Sequence, residues 1–289
     1  MTSWHREHLA ESQSALLDTW LPDAQLGADL SWGLALTTVL DVSAGAGRFI
    51  VKAGSGDNHH VSREIAAHRT ATGVLADTGH ASRMVHCDNE ANILVTTYLP
   101  GQLVQGTSAE ADPDTYLQAG RLLGRFHRQH VRIDDAVDAR ATCKALAWLD
   151  GEHRIDHGTA TLLRETLRSH LPVSVPVVPT HGDWQPRNWL FNANDQNRPG
   201  TVRIIDFGRF EHRPAMSDFC RLAAQQWQDN PELEAAFFDG YGADPRDREL
   251  WRIIQIREAI GTAAWAYKIG DETFERQGHR MIAAALALP

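Results

Sequence analysis

Two short polar segments place the tightest limit on the fold of this chain, because each follows a strand-like run. The first is His181–Asn188 (HGDWQPRN), and the second is Ile205–Gly208 (IDFG), whose aspartate comes 18 residues after Asn188. An extended run, Val173–Val178, leads into the first segment, and a β-rich run, Val202–Ile205, leads into the second. Both segments are therefore predicted to be loops beside strands.

Three oxygen-bearing side chains in these loops form a set that suits phosphoryl transfer. Transfer from a magnesium–nucleotide complex needs one carboxylate that accepts the proton of the attacking hydroxyl, and an amide and a second carboxylate that hold the bridging metal. Asp183 is the candidate for the first role, and Asn188 and Asp206 are the candidates for the second. Magnesium takes few protein oxygens and keeps its other positions for water and phosphate. The sequence thus predicts Mg²⁺ as cofactor and ATP or GTP as phosphate donor.

Charge and cysteine usage exclude several other classes. The formal net charge is -9, which argues against a nucleic-acid partner because binding to phosphates requires a basic face. Acidity is compatible with a cationic substrate, and equally with solubility alone. Cys87, Cys143 and Cys220 form no CxxC pair, which argues against a disulfide framework or a zinc site and is compatible with a reducing cytoplasm.

The chain also lacks targeting and membrane signals. Its N-terminus has no apolar segment of the kind found in secretory signals. No apolar run reaches the ~18 residues that a membrane helix needs. We therefore expect a cytoplasmic monomer or homodimer that acts on a small molecule, without a membrane or nucleic acid as partner.

The pattern of apolar residues changes after the first third of the chain. A hairpin is predicted from Leu34–Val42 and Arg48–Lys52, followed by a helix over Arg63–Leu75 and a strand over Asn92–Tyr98. Later apolar residues at helical spacing predict these helices: Tyr116–His130, Ala160–His170, Asp218–Gln228, Pro231–Tyr241, Arg248–Tyr267 and Phe274–Leu288. A β-rich part is thus followed by a mainly helical part.

A hinge is predicted at Pro100–Gly101, where the β-rich part meets the mainly helical part. Residues 1–98 are then expected to form an N-terminal nucleotide-binding lobe. Residues 99–289 are expected to form a C-terminal helical lobe that holds the catalytic loop, the metal site and the acceptor site.

Lys52 is the main candidate for binding nucleotide phosphates. It ends the otherwise apolar run Phe49–Lys52, and a lysine inside such a run needs a partner because an unpaired buried charge is costly. The expected partner is Glu64 on the following helix, an arrangement that kinases use to hold the α- and β-phosphates. The alternative is a solvated lysine on an edge strand.

The remaining nucleotide contacts are less specific in the sequence. Neither GxGxxG nor GxxxxGK[ST] is present, so another loop must cradle the phosphates. Ser31 and Gly33 precede the hairpin and are the candidates, with Gly45 and Gly47 as competitors. Backbone groups of Thr97, Tyr98 and Leu99 are the candidates for the nucleotide base, which leaves ATP and GTP undistinguished.

These motifs and their order resemble the aminoglycoside phosphotransferase and choline kinase group of small-molecule kinases. His-Gly-Asp-x-x-x-x-Asn followed by Ile-Asp-Phe-Gly is similar to that group's signature, and Lys52, Glu64 and Asp218 fall in matching order. The resemblance implies an α+β, bilobal, protein-kinase-like fold, with an N-terminal antiparallel β-sheet lobe and a larger helical C-terminal lobe. It further implies that His181 braces the catalytic loop and that Asp218 anchors it.

The chain departs from the group's usual pattern at two positions of the catalytic loop. Trp184 stands where leucine is common, and Arg187 stands where a small residue is frequent. Both are candidates for substrate contact, and Arg187 could reach the γ-phosphate or an anionic acceptor, or lie solvated on the loop. Further candidates for a cationic acceptor are Glu211, Asp271 and Glu272, with a solvated surface as the alternative for each.

The resemblance favours an aminoglycoside or another cationic antibiotic as the acceptor, as in resistance enzymes. The alternatives are a metabolic kinase for choline, an amino sugar or a homoserine-like acceptor, and a non-catalytic nucleotide-binding scaffold. A protein kinase is disfavoured, because Asp218 follows Asp206 after only twelve positions, which leaves no room for a long activation segment.

Overall fold

A computed structural model describes residues 4–32, 37–45, 47–55, 58–193 and 200–288. The strands are β1 (Gln25–Asp29), β2 (Thr37–Ala44), β3 (Gly47–Gly54), β4 (Met84–Asp88), β5 (Ile93–Thr97), β6 (Gln102–Leu103), β7 (Arg132–Asp134), β8 (Val175–Thr180), β9 (Trp189–Asn192), β10 (Thr201–Ile204) and β11 (Glu211–Arg213). The α-helices are α1 (Glu11–Trp20), α2 (His59–Thr70), α3 (Gly73–Ala76), α4 (Pro113–His127), α5 (Val137–Asp150), α6 (His157–Ser169), α7 (Cys220–Ala223), α8 (Pro231–Tyr241), α9 (Arg248–Ile269) and α10 (Glu272–Ala287). The predicted α+β class is confirmed.

The N-terminal part is built on an antiparallel sheet with strand order β1-β2-β3-β5-β4. The predicted hairpin is present as β2 and β3, and Lys52 lies between Val39 and Leu94 of the neighbouring strands. Alternation along β3 buries Val51 and Ala53 against α1 and the strands beside it. Lys52 therefore projects from the opposite face, toward α2.

The C-terminal part is mainly helical and carries two three-stranded sheets, β10-β9-β6 and β11-β8-β7. The chain enters it after Tyr98, and β6 pairs with β9 just beyond the predicted hinge. Its main core is rich in buried aromatic side chains, contributed by α4, α8 and the loops around β9 and β10. In the part of the chain that the structure describes, no helix is both long and apolar enough to cross a membrane.

Two helices differ from the sequence expectation. The predicted helix Asp218–Gln228 is a 3₁₀ turn, Ala215–Phe219, followed by the single turn of α7, because backbone amides of Gln225 and Trp227 both bond to Leu222 in a tight turn. Helix α5 was not predicted. Its buried face is sparse and includes small residues, so its apolar periodicity is weak.

Helices α4 and α8 cross with their backbones in close contact at Gly120 and Gly240. A Cβ at Gly120 would overlap the carbonyl oxygen of Phe237, and a Cβ at Gly240 would overlap that of Leu117. Gly120→Ala should therefore lower the free energy of unfolding by about 1–3 kcal/mol, the usual cost of overpacking a core. Alanine stabilises a helix by ~1 kcal/mol relative to glycine, and the expected loss is what remains after this gain is subtracted.

Gly261→Ala is the matched control, because a Cβ at this position in α9 has no neighbour within 4 Å. Urea unfolding of the two variants measures both effects. Gly261→Ala should be as stable as the unmodified protein or slightly more stable. A Gly120→Ala protein as stable as the control would contradict the close helix contact.

Candidate active site

The loop that follows β8 carries His181, Gly182 and Asp183, and its sharp bend depends on glycine. Gly182 has φ +82°, in the left-handed region that L side chains rarely adopt. A Cβ there would also overlap the guanidinium of Arg213 and the carbonyl oxygen of Arg209. The glycine therefore lets the loop turn Asp183 toward the segment after β10.

Asp218 holds this loop through two of the three hydrogen bonds to its carboxylate, and the third comes from His127 on α4. Its Oδ2 accepts from the backbone N–H of His181 at 2.8 Å and from Nε2 of His127 at 3.0 Å, and its Oδ1 accepts from the backbone N–H of Gly182 at 2.6 Å. Burial alone would raise the pKa of Asp218, but the hydrogen bond from His127 and nearby positive charge, including that of Arg213, lower it below its ordinary value. The carboxylate is thus held as an anion beneath the loop, in the position expected for an anchor.

His181 connects the two motif segments. Its Nε2 lies 3.0 Å from the carbonyl oxygen of Ile205, and its Nδ1 lies 3.2 Å from the backbone N–H of Asp183. These partners assign a neutral imidazole that donates through Nε2 and accepts at Nδ1. Burial lowers the pKa of His181, which agrees with this neutral form. The side chain therefore lies where a loop brace is expected.

Both carboxylate oxygens of Asp183 are engaged by neighbouring donors. Gln185 Nε2 donates to Oδ1 at 2.5 Å, and Oδ2 accepts from Arg187 Nη2 at 2.6 Å and from Asn188 Nδ2 at 3.0 Å. The Nε of Arg221 lies 3.8 Å from Oδ1. Asp183 is buried, so these donors fix its orientation.

The charges around Asp183 keep it ionised. Burial alone would raise its pKa, but the guanidinium groups of Arg209, Arg187 and Arg221 outweigh this effect and hold the pKa well below the usual range. A carboxylate with such a low proton affinity is a weak base. It is well suited to accept a hydrogen bond from a hydroxyl and to orient it.

Asn188 and Asp206 are brought together by the β9–β10 pair. The backbone N–H of Ile205 donates to the carbonyl oxygen of Asn188 at 3.0 Å, directly before Asp206. The Nδ2 of Asn188 donates to the backbone carbonyl oxygen of Asp183 at 2.8 Å as well as to its carboxylate, so the amide oxygen is the atom left for a cation. This donor set fits Mg²⁺, which prefers hard oxygen ligands and needs few from the protein.

The backbone at Asp206 is also unusual. Its φ is +66°, a conformation uncommon outside glycine, asparagine and aspartate. Its side chain is 49% exposed. The positive charge of Lys52 is the largest influence on the pKa of Asp206, which it lowers. In the described ranges, no group of three or more His, Cys, Asp or Glu side chains is arranged to hold a metal ion.

Lys52 ties the N-terminal sheet to this segment. Its Nζ donates to both carboxylate oxygens of Glu64, at 2.7 and 3.0 Å, and to Oδ1 of Asp206 at 3.1 Å. Burial alone would lower the pKa of Lys52, but the two carboxylates raise it above its ordinary value. Burial raises the pKa of Glu64, and the charge of Lys52 opposes this effect. The Lys52 ammonium is charged, because two carboxylates share it. Lys52 and Glu64 are thus in contact, and their role in nucleotide binding stays a prediction.

The predicted phosphate loop is only partly described. Gly33 lies outside the described residues. The hydroxyl of Ser31 accepts from the backbone N–H of Val39, the strand partner of Lys52, at 3.0 Å. Ser31 therefore lies one strand away from the lysine, which is compatible with its expected role.

The predicted base-binding segment follows β5. The backbone N–H groups of Thr97 and Tyr98 are used by the carbonyl oxygens of Arg83 and Arg48. For Leu99, no backbone hydrogen bond from its N–H is seen among the described residues. Of the three predicted residues, Leu99 thus offers a free donor to a nucleotide base.

The acceptor candidates are scattered, and the structure corrects one of them. Trp184 is fully buried against His181 and Trp189, because its indole fills the main core, so it offers no surface to an acceptor. Glu211 is exposed on β11, and Glu272 is exposed at the start of α10.

Asp271 has a structural role. Its side chain caps α10 by accepting from the backbone N–H of Phe274 at 2.9 Å. Asp271, Glu211 and Glu272 thus make no contact with Asp183 in the described part of the chain.

Arg221, which lies near Asp183, and its partner Glu258 were not among the candidates from the sequence, and neither was Gln185. Arg221 is buried, and its Nη2 pairs with Glu258 Oε1 at 2.7 Å, while its guanidinium lies 5.2 Å from the ring centre of Phe274. The available signal was an arginine flanked by apolar Cys220 and Leu222, since a buried charge requires a partner. Glu258 directly follows Arg257, so the sequence around it does not indicate a buried charge that needs a distant partner.

The sequence and the fold were compared with known proteins. The sequence profile of the phosphotransferase enzyme family matches residues 29–251. No curated protein sequence matches the chain.

Several solved structures of small-molecule kinases have a similar fold. The GDP complex of aminoglycoside 2′-phosphotransferase-IIIa gives a TM-score of 0.67 at 13% identity, over 99% of both chains. Choline kinase from Streptococcus pneumoniae gives 0.65 at 15% identity, over 96% of this chain and 99% of that one. Spectinomycin phosphotransferase with ADP and spectinomycin gives 0.62 at 13% identity, over 95% and 96%. These matches confirm the predicted kinase-like fold.

Proposed function

This chain belongs to the phosphotransferase enzyme family, and from that premise we propose that it moves the γ-phosphate of Mg-ATP or Mg-GTP to a hydroxyl group of a small molecule. The observation that carries the proposal is a single connected site. Lys52 contacts both Glu64 and Asp206, and Asp183 contacts Asn188. These are the groups that phosphoryl transfer requires, drawn from both parts of the fold.

The nucleotide side of the site has a clear division of roles. Lys52 binds the α- and β-phosphates and is positioned by Glu64. Asn188 and Asp206 would hold Mg²⁺ through their oxygens. When bound, the ion supplies charge neutralisation at the phosphates. Leu99 contacts the nucleotide base through its backbone, with Thr97 and Tyr98 beside it, and Ser31 and Gly33 belong to the loop over the phosphates.

The acceptor hydroxyl is oriented by Asp183. It donates a hydrogen bond to the carboxylate, and its oxygen attacks the γ-phosphorus. The bond from that phosphorus to the bridging oxygen breaks, and the electron pair leaves with the nucleoside diphosphate. The hydroxyl proton passes to Asp183 and then to solvent. Because the pKa of Asp183 is low, the proton moves late, after most of the new bond has formed.

We place the boundary between the two lobes at residues 98 and 99. The first sheet ends with β5 at Thr97, and β6 already pairs with β9 of the second part. The nucleotide lobe is then 1–98, and residues 99–289 carry the catalytic loop, the metal site and the acceptor site.

The acceptor class we favour is an aminoglycoside or another cationic antibiotic. In support, Glu258 is 31% exposed and reaches Asp183 through Arg221, so a carboxylate stands near the reacting centre. The ring of Trp265 packs edge-to-face on Phe274 at 5.9 Å and is partly exposed. Choline, amino-sugar or homoserine-like acceptors are the second candidate, favoured by the likeness to choline kinase.

Nucleotide consumption against an acceptor panel separates these candidates. The panel holds aminoglycosides, basic peptide antibiotics, choline, amino sugars and homoserine, each with Mg-ATP or Mg-GTP. We expect turnover with an aminoglycoside or a basic peptide antibiotic, and we expect it to weaken in Glu258→Gln through a higher acceptor KM. Turnover with choline, an amino sugar or homoserine alone would favour the metabolic alternative. Tight nucleotide binding without turnover on any acceptor would favour a scaffold.

A further inference from the structure

Arg187 differs from every other side chain of the catalytic loop in its exposure. From Asp183 to Leu190 all other residues are buried, whereas the side chain of Arg187 is 31% exposed. It nevertheless reaches the carboxylate of Asp183, with Nη2 2.6 Å from Oδ2. The guanidinium therefore lies at the open side of the reacting carboxylate.

We propose that Arg187 is a catalytic residue that binds the γ-phosphoryl group during transfer and so acts as an arginine supplied by the catalytic loop itself. The proposal rests on the phosphotransferase function above. It assigns a specific role to a residue that replaces the small residue frequent at this position.

The first argument concerns the donors that Arg187 has left. A guanidinium has five N–H donors, and the contact with Asp183 uses one nitrogen. In the described part of the chain, no hydrogen bond is formed by its other nitrogens. A planar fork of this kind matches two phosphate oxygens at once. Arg187 can thus keep or exchange its contact with Asp183 while donating to a phosphate.

The second argument concerns the competition at Asp183 Oδ2. This oxygen accepts from both Arg187 and Asn188, so it is crowded when an acceptor hydroxyl arrives. A shift of the guanidinium toward the γ-phosphate would free a lone pair for the hydroxyl. The Nε of Arg221 lies 3.8 Å from the other carboxylate oxygen of Asp183, so a guanidinium still faces this carboxylate after such a shift.

The third argument concerns charge. The cation on the nucleotide side, Lys52, is already shared by Glu64 and Asp206. Charge that develops on the γ-phosphoryl group therefore needs another donor. Arg187 directly precedes Asn188, the proposed metal ligand, in the 3₁₀ turn Pro186–Asn188, so it would lie close to phosphates bridged by a metal at Asn188. An arginine in this position stabilises the transition state more than the ground state.

Binding of MgADP with and without aluminium fluoride tests the role without an acceptor, because the fluoride complex occupies the place of the γ-phosphoryl group in the transition state. Wild type should bind MgADP more tightly when aluminium fluoride is present. Arg187→Ala should lose about 100-fold of that gain, as expected for one removed transition-state donor. It should bind MgADP alone within about twofold of wild type. MgADP has no γ-phosphoryl group, so the contact that Arg187 makes in the transition state is not part of its binding. Arg187→Lys should keep part of the gain.

Arg140→Ala is the control for the loss of one positive charge. Arg140 is an exposed residue of α5 that pairs with Asp134 of β7, away from the motif segments, and this variant should behave as wild type.

An Arg187→Ala protein with the full fluoride gain would overturn the proposal, as would a wild type that binds MgADP without any gain. If Arg187→Ala weakened MgADP alone as much as its fluoride complex, the role would be structural and the proposal would also fail. A wild type that binds no MgADP at all would instead overturn the proposed function on which it rests.

Discussion

Asp183→Ala should abolish acceptor-dependent turnover while Mg-nucleotide affinity changes little. The carboxylate orients the attacking hydroxyl and takes its proton, and it makes no contact with Lys52 or Asp206 in the described residues. Losing a general base typically lowers the rate by about 10²–10⁴-fold. We expect an effect at the upper end, because orientation is lost together with the proton acceptor. Steady-state kinetics and nucleotide titration measure the two quantities separately.

Asp183→Asn controls for packing. The amide keeps the size of the side chain and one acceptor oxygen, which can serve the donor on one side, but it removes the charge that faces Arg187. It should be nearly as inactive as the alanine variant and better folded. Normal turnover in either variant would remove Asp183 from the mechanism.

Asp206→Ala should weaken magnesium-dependent nucleotide binding by about 100-fold, within the range that follows loss of charged contacts to a ligand. Two contacts are lost together, the proposed metal oxygen and the 3.1 Å contact with Lys52. The affinity for ADP is measured by titration, once with magnesium and once with a chelator in its place. The affinity gained with magnesium should be large in wild type and small in the variant.

Asp206→Asn separates charge from backbone conformation. Asparagine tolerates the left-handed φ of +66°, whereas alanine does not, so a fall in affinity shared by both variants is due to the lost carboxylate. Asp150→Ala is the control, because Asp150 is an exposed carboxylate paired with Arg164. A magnesium effect of unchanged size in Asp206→Asn would contradict its role as a ligand.

The sequence was sufficient to predict which short polar segments lie beside strands, because that depends only on neighbouring residues in the chain. Asp183, Asn188 and Asp206 lie on loops next to strands, and pairing of β9 with β10 brings their segments together. Lys52 and Glu64 were found for a different reason. A charged residue inside an apolar strand requires a partner, and the next helix offered one.

The contacts that the sequence could not reveal join residues far apart in the chain or depend on side-chain direction. Glu258 meets Arg221 across 37 positions, and no local pattern fixes that distance. Arg187 is only four positions from Asp183, but whether it turns inward or to solvent depends on the 3₁₀ turn that carries it. Burial of Trp184 likewise depends on the core around it.

The most direct test of the central claim is the mass of the acceptor after incubation with purified protein and Mg-ATP or Mg-GTP. The account predicts that one acceptor of the panel gains a single phosphoryl group with wild type and none with Asp183→Ala. Bound nucleotide with no acceptor modified by wild type would contradict the claim of transfer. Equal phosphorylation by wild type and Asp183→Ala would contradict the site that we assign to it.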